Sequence, residues 1–311
     1  MIKSQLPEQI AEQAEWSKDE QLAEKIERLR LRLSRKMLRT CKNYDLLKEG
    51  DRIMVAISGG KDSYTLLDLL HSASRRLPFK VEYVAVHLDQ QQPGYDGAPL
   101  RTWLLNENYE HEIISENTYS IVKELTPPGG TYCAPCSRLR RGILYTTAER
   151  LGCNKVALGH HRDDTVETLL MNMFYSGRIQ AMPAKYRTND DRFDVIRPLL
   201  ECAESDIAEY AQLMNFPILP CNLCGSQDGL KRAETKALLD RLEAGHPGVR
   251  DMLLASLKHV RPSGLLDQSL LARLEESNRI DSELESKTKV ETESPAEPMV
   301  YSPSPLIQIE G

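Results

Sequence analysis

Residues 52–70 constrain this chain more than any other stretch. Ile53 to Ile57 form a short unbroken apolar run, Ser58-Gly59-Gly60-Lys61-Asp62-Ser63 follows, and Leu66, Leu67 and Leu70 then recur at helical spacing. An apolar run of this length suits a strand covered on both faces, as in a parallel sheet. Gly59 and Gly60 permit backbone angles and close approaches that a side chain forbids. Asp62 or Ser63 is placed to cap the helix. A turn of free N–H groups at a helix start is a phosphate site, and Lys61 adds positive charge. The pattern is not the Walker loop, which needs Gly-x-x-x-x-Gly-Lys-Ser/Thr.

Strand and helix patterns alternate downstream. Val81 to Leu88 reads as a second strand ending at Asp89, His111 to Ser115 as a third, Lys155 to Leu158 as a fourth, and Asp194 to Leu199 as the last. A helix follows Cys136 as far as Leu151, with Leu139, Ile143, Leu144, Ala148 and Leu151 inward and Gly152 as its C-cap. The alternation predicts an α/β fold, a doubly wound and mostly parallel sheet with helical additions at both ends. Ligands of such sheets lie beyond the carboxyl ends of the strands. Ser58–Ser63 and Asp89 fall there, as does a second strand–glycine–helix turn, Gly159-His160-His161-Arg162-Asp163-Asp164.

Four segments are expected. Residues 1–50 hold a polar, weakly ordered start and a basic helix from Lys18 to about Tyr44, with Leu22, Ile26, Leu29 and Leu33 along one face. Residues 51–202 hold the sheet. Residues 203–262 are helical and carry Cys221 and Cys224. Residues 263–311 form an acidic tail whose last thirty or so residues read as disordered.

Charge is informative once located. The formal net charge of −6 argues against nucleic acid, yet residues 275–311 hold nine acidic and three basic residues, so the body before them is neutral. Within that body, Lys25 to Lys42 carries eight basic residues against Glu27 alone. This face is either a solvated surface of a docked helix or one that follows a phosphate backbone, and the two are compatible. No apolar run reaches membrane-span length and no signal pattern opens the chain, so a cytoplasmic location is the expectation.

Seven cysteines in such a chain argue against a disulfide framework. Cys41, Cys153 and Cys202 are isolated and read as packing residues. The other four form two Cys-x-x-Cys pairs, Cys133/Cys136 and Cys221/Cys224, whose spacing fits structural zinc or an iron–sulfur cluster about equally, and a thiol redox pair less well. His160 and His161, beside two aspartates, either bind a metal or shape a nucleotide pocket.

Taken together, four stretches carry a family resemblance. Ser58–Ser63 resembles the pyrophosphate-binding loop of the N-type ATP pyrophosphatases, the PP-loop superfamily. That loop, Cys133-x-x-Cys136-Ser-Arg-Leu-Arg-Arg, Gly159-His-His-Arg-Asp-Asp and Pro220-Cys-Asn-Leu-Cys-Gly-Ser-Gln227 occur in the order found in the tRNA 2-thiocytidine synthases. The resemblance spans roughly residues 45–262. It implies a Rossmann-like PP-loop fold and ATP on Ser58, Gly59, Gly60, Lys61, Asp62 and Ser63. It also implies a 4Fe–4S cluster on Cys133, Cys136 and one of the downstream pair. We favour Cys224, because the turn at Gly225 can present its thiolate while Cys221 follows Pro220. Three ligands leave one iron open for the delivered sulfur.

The resemblance further implies adenylation of the 2-oxo oxygen of cytidine 32 in tRNA, with release of pyrophosphate. Sulfur attack at C2 then expels AMP. Asp62 or Asp163 is expected to hold Mg2+, and Arg140 to face the nucleotide or the base. Expected partners are tRNA, ATP, a sulfur donor such as a cysteine desulfurase, and a second copy in a homodimer. Rival readings are a 2-thiouridine synthase, a lysidine-type or amidating enzyme, and a non-catalytic zinc-stabilised RNA-binding module. The first rival is disfavoured by the lack of terminal zinc-ribbon cysteines; the other two leave the cysteine pairs or Ser58–Ser63 without a task.

Overall fold

A computed structural model describes residues 6–127, 132–219 and 227–277. Helix α1 (Leu6–Asn43) precedes strand β1 (Arg52–Ile57), and α2 (Lys61–Ser74), β2 (Glu82–Asp89), α3 (Ala98–Asn106) and β3 (His111–Ser115) follow. Then come α4 (Thr118–Leu125), α5 (Cys133–Arg150), β4 (Lys155–Ala157), α6 (Arg162–Ser176), β5 (Lys185–Arg187) and β6 (Asp194–Ile196). The last helices are α7 (Glu204–Leu213), α8 (Gln227–Gly245) and α9 (Val249–Ser256).

The strands form one sheet in the order β3-β2-β1-β4-β6-β5, parallel except for β5. The doubly wound α/β expectation is met. β1 explains why: Ile53, Val55 and Ile57 enter the core under α1, α2 and α7, while Met54 packs with Leu144 and Ala148 of α5 on the other face. A strand buried on both faces cannot alternate polar and apolar residues. A smaller cluster, Val166, Leu170, Leu239 and Leu254, ties α6 to α8 and α9.

Several details depart from the sequence reading. Helix α1 extends back to Leu6, so residues 6–17 of the polar start are helical. Its buried stripe is Leu29, Leu33, Met37 and Cys41, whereas Leu22 is exposed. The basic face of α1 is partly answered by acids: Lys25 pairs with Glu209, Arg30 with Glu27 and Asp68, Arg32 with Asp206 and Arg39 with Glu201, while Arg28, Arg35, Lys36 and Lys42 have no ion-pair partner among the described residues. The antiparallel β5 was not expected; three residues are too short to show a period. Cys133 and Cys136 lie inside the first turn of α5 rather than before it. The disorder expected of the last thirty residues concerns positions outside the described ones.

Residues 1–258 form one compact unit and residues 259–311 a second. In the latter, residues 268–277 are helical, with Asp267 Oδ1 accepting from Ser269 and Leu270 amides at their start. Among the described residues no helix is long and apolar enough to cross a membrane.

At the amino end of the sheet, opposite the glycine turns, a buried ion pair fastens β4 to the chain before β1. Lys155 Nζ lies 2.6 Å from Asp51 Oδ2 and donates to the Leu46 carbonyl at 2.9 Å. Asp51 also accepts from Asn154 Nδ2 and the Lys48 amide. Removing one partner strands the other charge in a dry site. Asp51→Asn is therefore expected to destabilise the protein by about 3–5 kcal/mol in urea denaturation; a loss under ~1 kcal/mol would mean the pair is wet and dispensable.

Candidate active site

Strand order reverses between β2-β1 and β4-β6, which opens a crevice at the carboxyl ends of β1 and β4. The two glycine turns meet there. Gly159 lies so close that a Cβ would stand 3.1 Å from the Asp62 carbonyl and the Ser63 nitrogen. Gly59 has φ +84°, and a Cβ on it would meet Leu219 at 2.9 Å. Gly59 is thus fixed by its positive φ, and Gly159 by a backbone contact that a side chain would push apart.

Within the first turn, the Ser63 hydroxyl donates to the Gly60 carbonyl at 2.8 Å and accepts from the Ser58 amide at 3.2 Å. Gly60, not Asp62 or Ser63, is the N-cap of α2, and no side chain caps that end. The Ser63 amide donates to the Gly60 carbonyl at 3.1 Å, which leaves the Lys61 and Asp62 amides to a ligand. Lys61 Nζ lies 3.1 Å from Asp62 Oδ1 and 3.1 Å from Glu204 Oε1, with Lys236 on the other Glu204 oxygen at 2.6 Å. Burial pulls the Lys61 ammonium down, but Asp62 and Glu204 outweigh it and hold its pKa above the ordinary lysine value. Burial opposes ionisation of Glu204, yet Lys236 and Lys61 hold its pKa at about 2.

In the second turn His161 caps α6: its Nδ1 accepts from the Asp164 amide and its own amide donates to Asp164 Oδ2. Its Nε2 stands 3.4 Å from Asp164 Oδ2 and 3.6 Å from Asp62 Oδ1. His160 Nδ1 accepts from Arg197 Nε at 3.3 Å, and burial followed by Arg197 pulls its pKa down to about 4, so it is a neutral wall residue.

A cavity of about 640 Å³ occupies the crevice, in the range of small-ligand sites. Ser58, Asp62, Ser63, Cys136, Arg140 and Asp164 line it, with Gln90, His160, Arg197 and Arg232. Arg140 has no hydrogen-bond or ion-pair partner among the described residues. Asp163 points elsewhere. Its carboxylate accepts from the Glu204 amide at 2.8 Å and pairs with Arg162 and with Arg250 at 2.9 Å. Asp164, one residue on, faces the cavity and pairs with Arg232 at 3.3 Å. Asp89 lines a smaller cavity of about 290 Å³ with His87, Tyr95 and Arg101.

For a divalent cation, Asp62 Oδ1 is buried and makes no hydrogen bond of good geometry, an oxygen with the chemistry to take one. For a cluster, the Cys136 thiol faces the cavity, donating to Gln90 Oε1 at 3.3 Å. It lies in the first turn of α5, and Cys133 opens the same helix three residues earlier. The Cys133 side chain, Cys221 and Cys224 lie outside the described residues. Among the described residues no three His, Cys, Asp or Glu side chains converge on one point. The described part fits a cluster ligand and does not complete the set.

Cys41, Cys153 and Cys202 are buried, and burial raises their pKa to about 12, 11 and 12. Sequence reasoning missed Glu204, Arg232, Lys236, Gln90 and Arg197. Glu204 reaches Lys61 across 143 positions, a distance at which no local pattern signals contact.

Comparison with known proteins follows the same residues. Positions 29–218 match the PP-loop domain family. The chain is 48% identical over 271 residues to the tRNA-cytidine(32) 2-sulfurtransferase of Anaeromyxobacter sp. (strain K), covering 86% of this chain and 93% of that one. It is 50% identical over 246 residues to the enzyme of that name from Sorangium cellulosum, covering 79% and 87%. In fold it is similar to the U34-tRNA thiolase NcsA from Methanococcus maripaludis, solved with its 4Fe-4S cluster, with TM-score 0.59, 22% identity, and 76% and 81% covered.

One buried acid beside the cavity sets a pH dependence. Burial lifts the Glu167 carboxyl to about 7 from 4.5, against the pull of Arg232 at 3.8 Å. Its folded value lies above its unfolded one, so its contribution to stability is full below about pH 4.5 and is lost as pH rises through 7. Glu167→Gln should gain stability relative to wild type above pH 7, with the difference closing towards pH 4.5. Denaturation midpoints that run parallel across this range would refute the assignment.

Proposed function

Because this chain belongs to the PP-loop family and, within it, to the tRNA-cytidine(32) 2-sulfurtransferases, we propose that it converts cytidine 32 of tRNA to 2-thiocytidine by adenylating the base and then delivering sulfur. The protein is an ATP-dependent tRNA sulfurtransferase; what is proposed is the route and the residues. The observation that carries the route is that the Ser58–Ser63 turn, Arg140 and Cys136 wall one cavity. A nucleotide on the turn and sulfur at α5 would then share one space.

In this reading the β- and γ-phosphates of ATP rest on the open end of α2, with Lys61 as their counter-charge. Lys61 leaves Glu204 for the phosphates, and Lys236 keeps Glu204 paired. Asp62, with Asp164 in place of Asp163, would hold Mg2+, which would neutralise phosphate charge. Arg140 directs the α-phosphate towards the cytosine 2-oxo oxygen. That oxygen attacks the α-phosphorus, pyrophosphate leaves, and a poor leaving group becomes AMP. Sulfur then bonds to C2 as the C2–O bond breaks. Cys133, Cys136 and Cys224 would hold the 4Fe–4S cluster, which supplies an iron with an open position for sulfide. The archaeal thiolase of the same fold carries such a cluster. A cysteine desulfurase as donor, with a thiol reductant whose two electrons bring its persulfide sulfur to the sulfide level, a homodimer and a cytoplasmic location complete the proposal.

The test is iron, acid-labile sulfide and zinc on protein purified without oxygen, alongside nucleoside analysis of treated tRNA. Wild type should carry about four iron and four sulfide per chain and form 2-thiocytidine. Cys136→Ala should lose iron, sulfide and thiolation while still binding ATP. Lys61→Ala should keep iron and sulfide but slow AMP formation by about 100-fold. Stoichiometric zinc without iron in active enzyme would overturn the cluster assignment, and thiolation without AMP formation would overturn the adenylation.

A further inference from the structure

The end of α6 and the loop after it present a surface that the reaction has not used. Residues 173–180 are all exposed, and among them Met173, Phe174, Tyr175 and Ile179 are 44, 53, 46 and 67% exposed. This is a held conformation. Gly177 turns the chain at φ +61°, the Arg178 amide donates to the Asn172 carbonyl at 3.1 Å, and Asn172 Nδ2 donates to the Gln180 carbonyl at 2.7 Å.

The patch is joined to the cavity at both ends. Asp164 opens α6 in the cavity wall, and Phe174 lies ten residues further on, about 15 Å along the helix. Beyond the loop, Arg197 donates to the Pro183 carbonyl at 2.7 Å, and Arg197 and Tyr186 line the same cavity. The patch's own segment carries charge of one sign. No Asp or Glu occurs from Thr168 to Asn189, Arg178 has no ion-pair partner among the described residues, and Lys231 Nζ lies 5.0 Å over the Tyr175 ring.

Exposed aromatic rings edged by cations beside a nucleotide cavity suit unpaired RNA, whose bases stack while its phosphates pair with the cations. We propose that Phe174, Tyr175 and Ile179, with Arg178 and Lys231, form the platform on which the unpaired nucleotides beside the target cytidine stack. A base turned out into the cavity needs its neighbours held. A site 15 Å away along α6 is placed to hold them. The inference rests on the proposed function, in that tRNA is the substrate.

The test is the double variant Phe174→Ala/Tyr175→Ala, both positions being exposed, checked for an unchanged melting temperature. Affinity is measured for an anticodon stem-loop RNA and for a closed duplex of the same stem. At roughly a tenfold loss per stacked base, the stem-loop should bind at least ten-fold more weakly. Duplex affinity should change less than about two-fold, the KM for ATP should hold, and Phe174→Trp/Tyr175→Trp should restore loop binding. Equal loop affinity for wild type and the alanine variant overturns the proposal. So does a wild-type dimer that becomes monomeric in the variant with loop affinity kept, which would make the patch an interface between copies. Wild type that binds neither RNA would overturn the proposed function along with it.

Discussion

The backbone contact between the two glycine turns is the constraint on which the site depends. A Cβ on Gly159 would stand 3.1 Å from the Asp62–Ser63 peptide, tighter than most real Cβ contacts, so the backbone would have to give by a few tenths of an ångström. Because both turns are the ends of neighbouring strands, the contact sets how far β1 and β4 run before their helices begin. It brings Lys61 and Asp62 from one turn into reach of His161 and Asp164 from the other. Widening that gap by one methyl group would spread four functional side chains at once, with no change in any of them.

Around this contact the charges form a chain. Asp62 and Glu204 hold Lys61, Lys236 holds Glu204, and Arg232 holds Asp164. A half-buried ammonium is costly without a partner, and Asp62 and Glu204 supply it for Lys61. Lys236 and Arg232 sit on α8, immediately after the segment that bears the second cysteine pair. The phosphate turn and that segment's exit are therefore tied by charge as well as by chain.

Much of this was legible in the sequence, and the reasons are local. Ile53 to Ile57 announced a doubly covered strand, Ser58–Ser63 announced its turn, and the alternation of patterns announced the parallel sheet. What was illegible depended on parity or on distance. Asp163 and Asp164 are adjacent, and only the capping geometry at His161 decides which faces the cavity. Lys25, Arg32 and Arg39 have acidic partners on α7 or just before it, 162 to 184 positions away, beyond any local pattern. Short β5 has too few residues to display any period, and the capping role assigned to Asp62 or Ser63 went instead to Gly60.

The three packing cysteines have a chemical consequence. Thiolates, not thiols, attack persulfides and disulfides. With pKa values of about 11 to 12, Cys41, Cys153 and Cys202 are ionised at neutral pH to only about one part in ten thousand to one in a hundred thousand. They are also sealed from any carrier large enough to bring activated sulfur. An enzyme that handles so reactive an atom must keep it from bonding to the wrong thiol. Here the selectivity comes from where the other sulfurs are stored, in the hydrophobic core, where they are chemically silent.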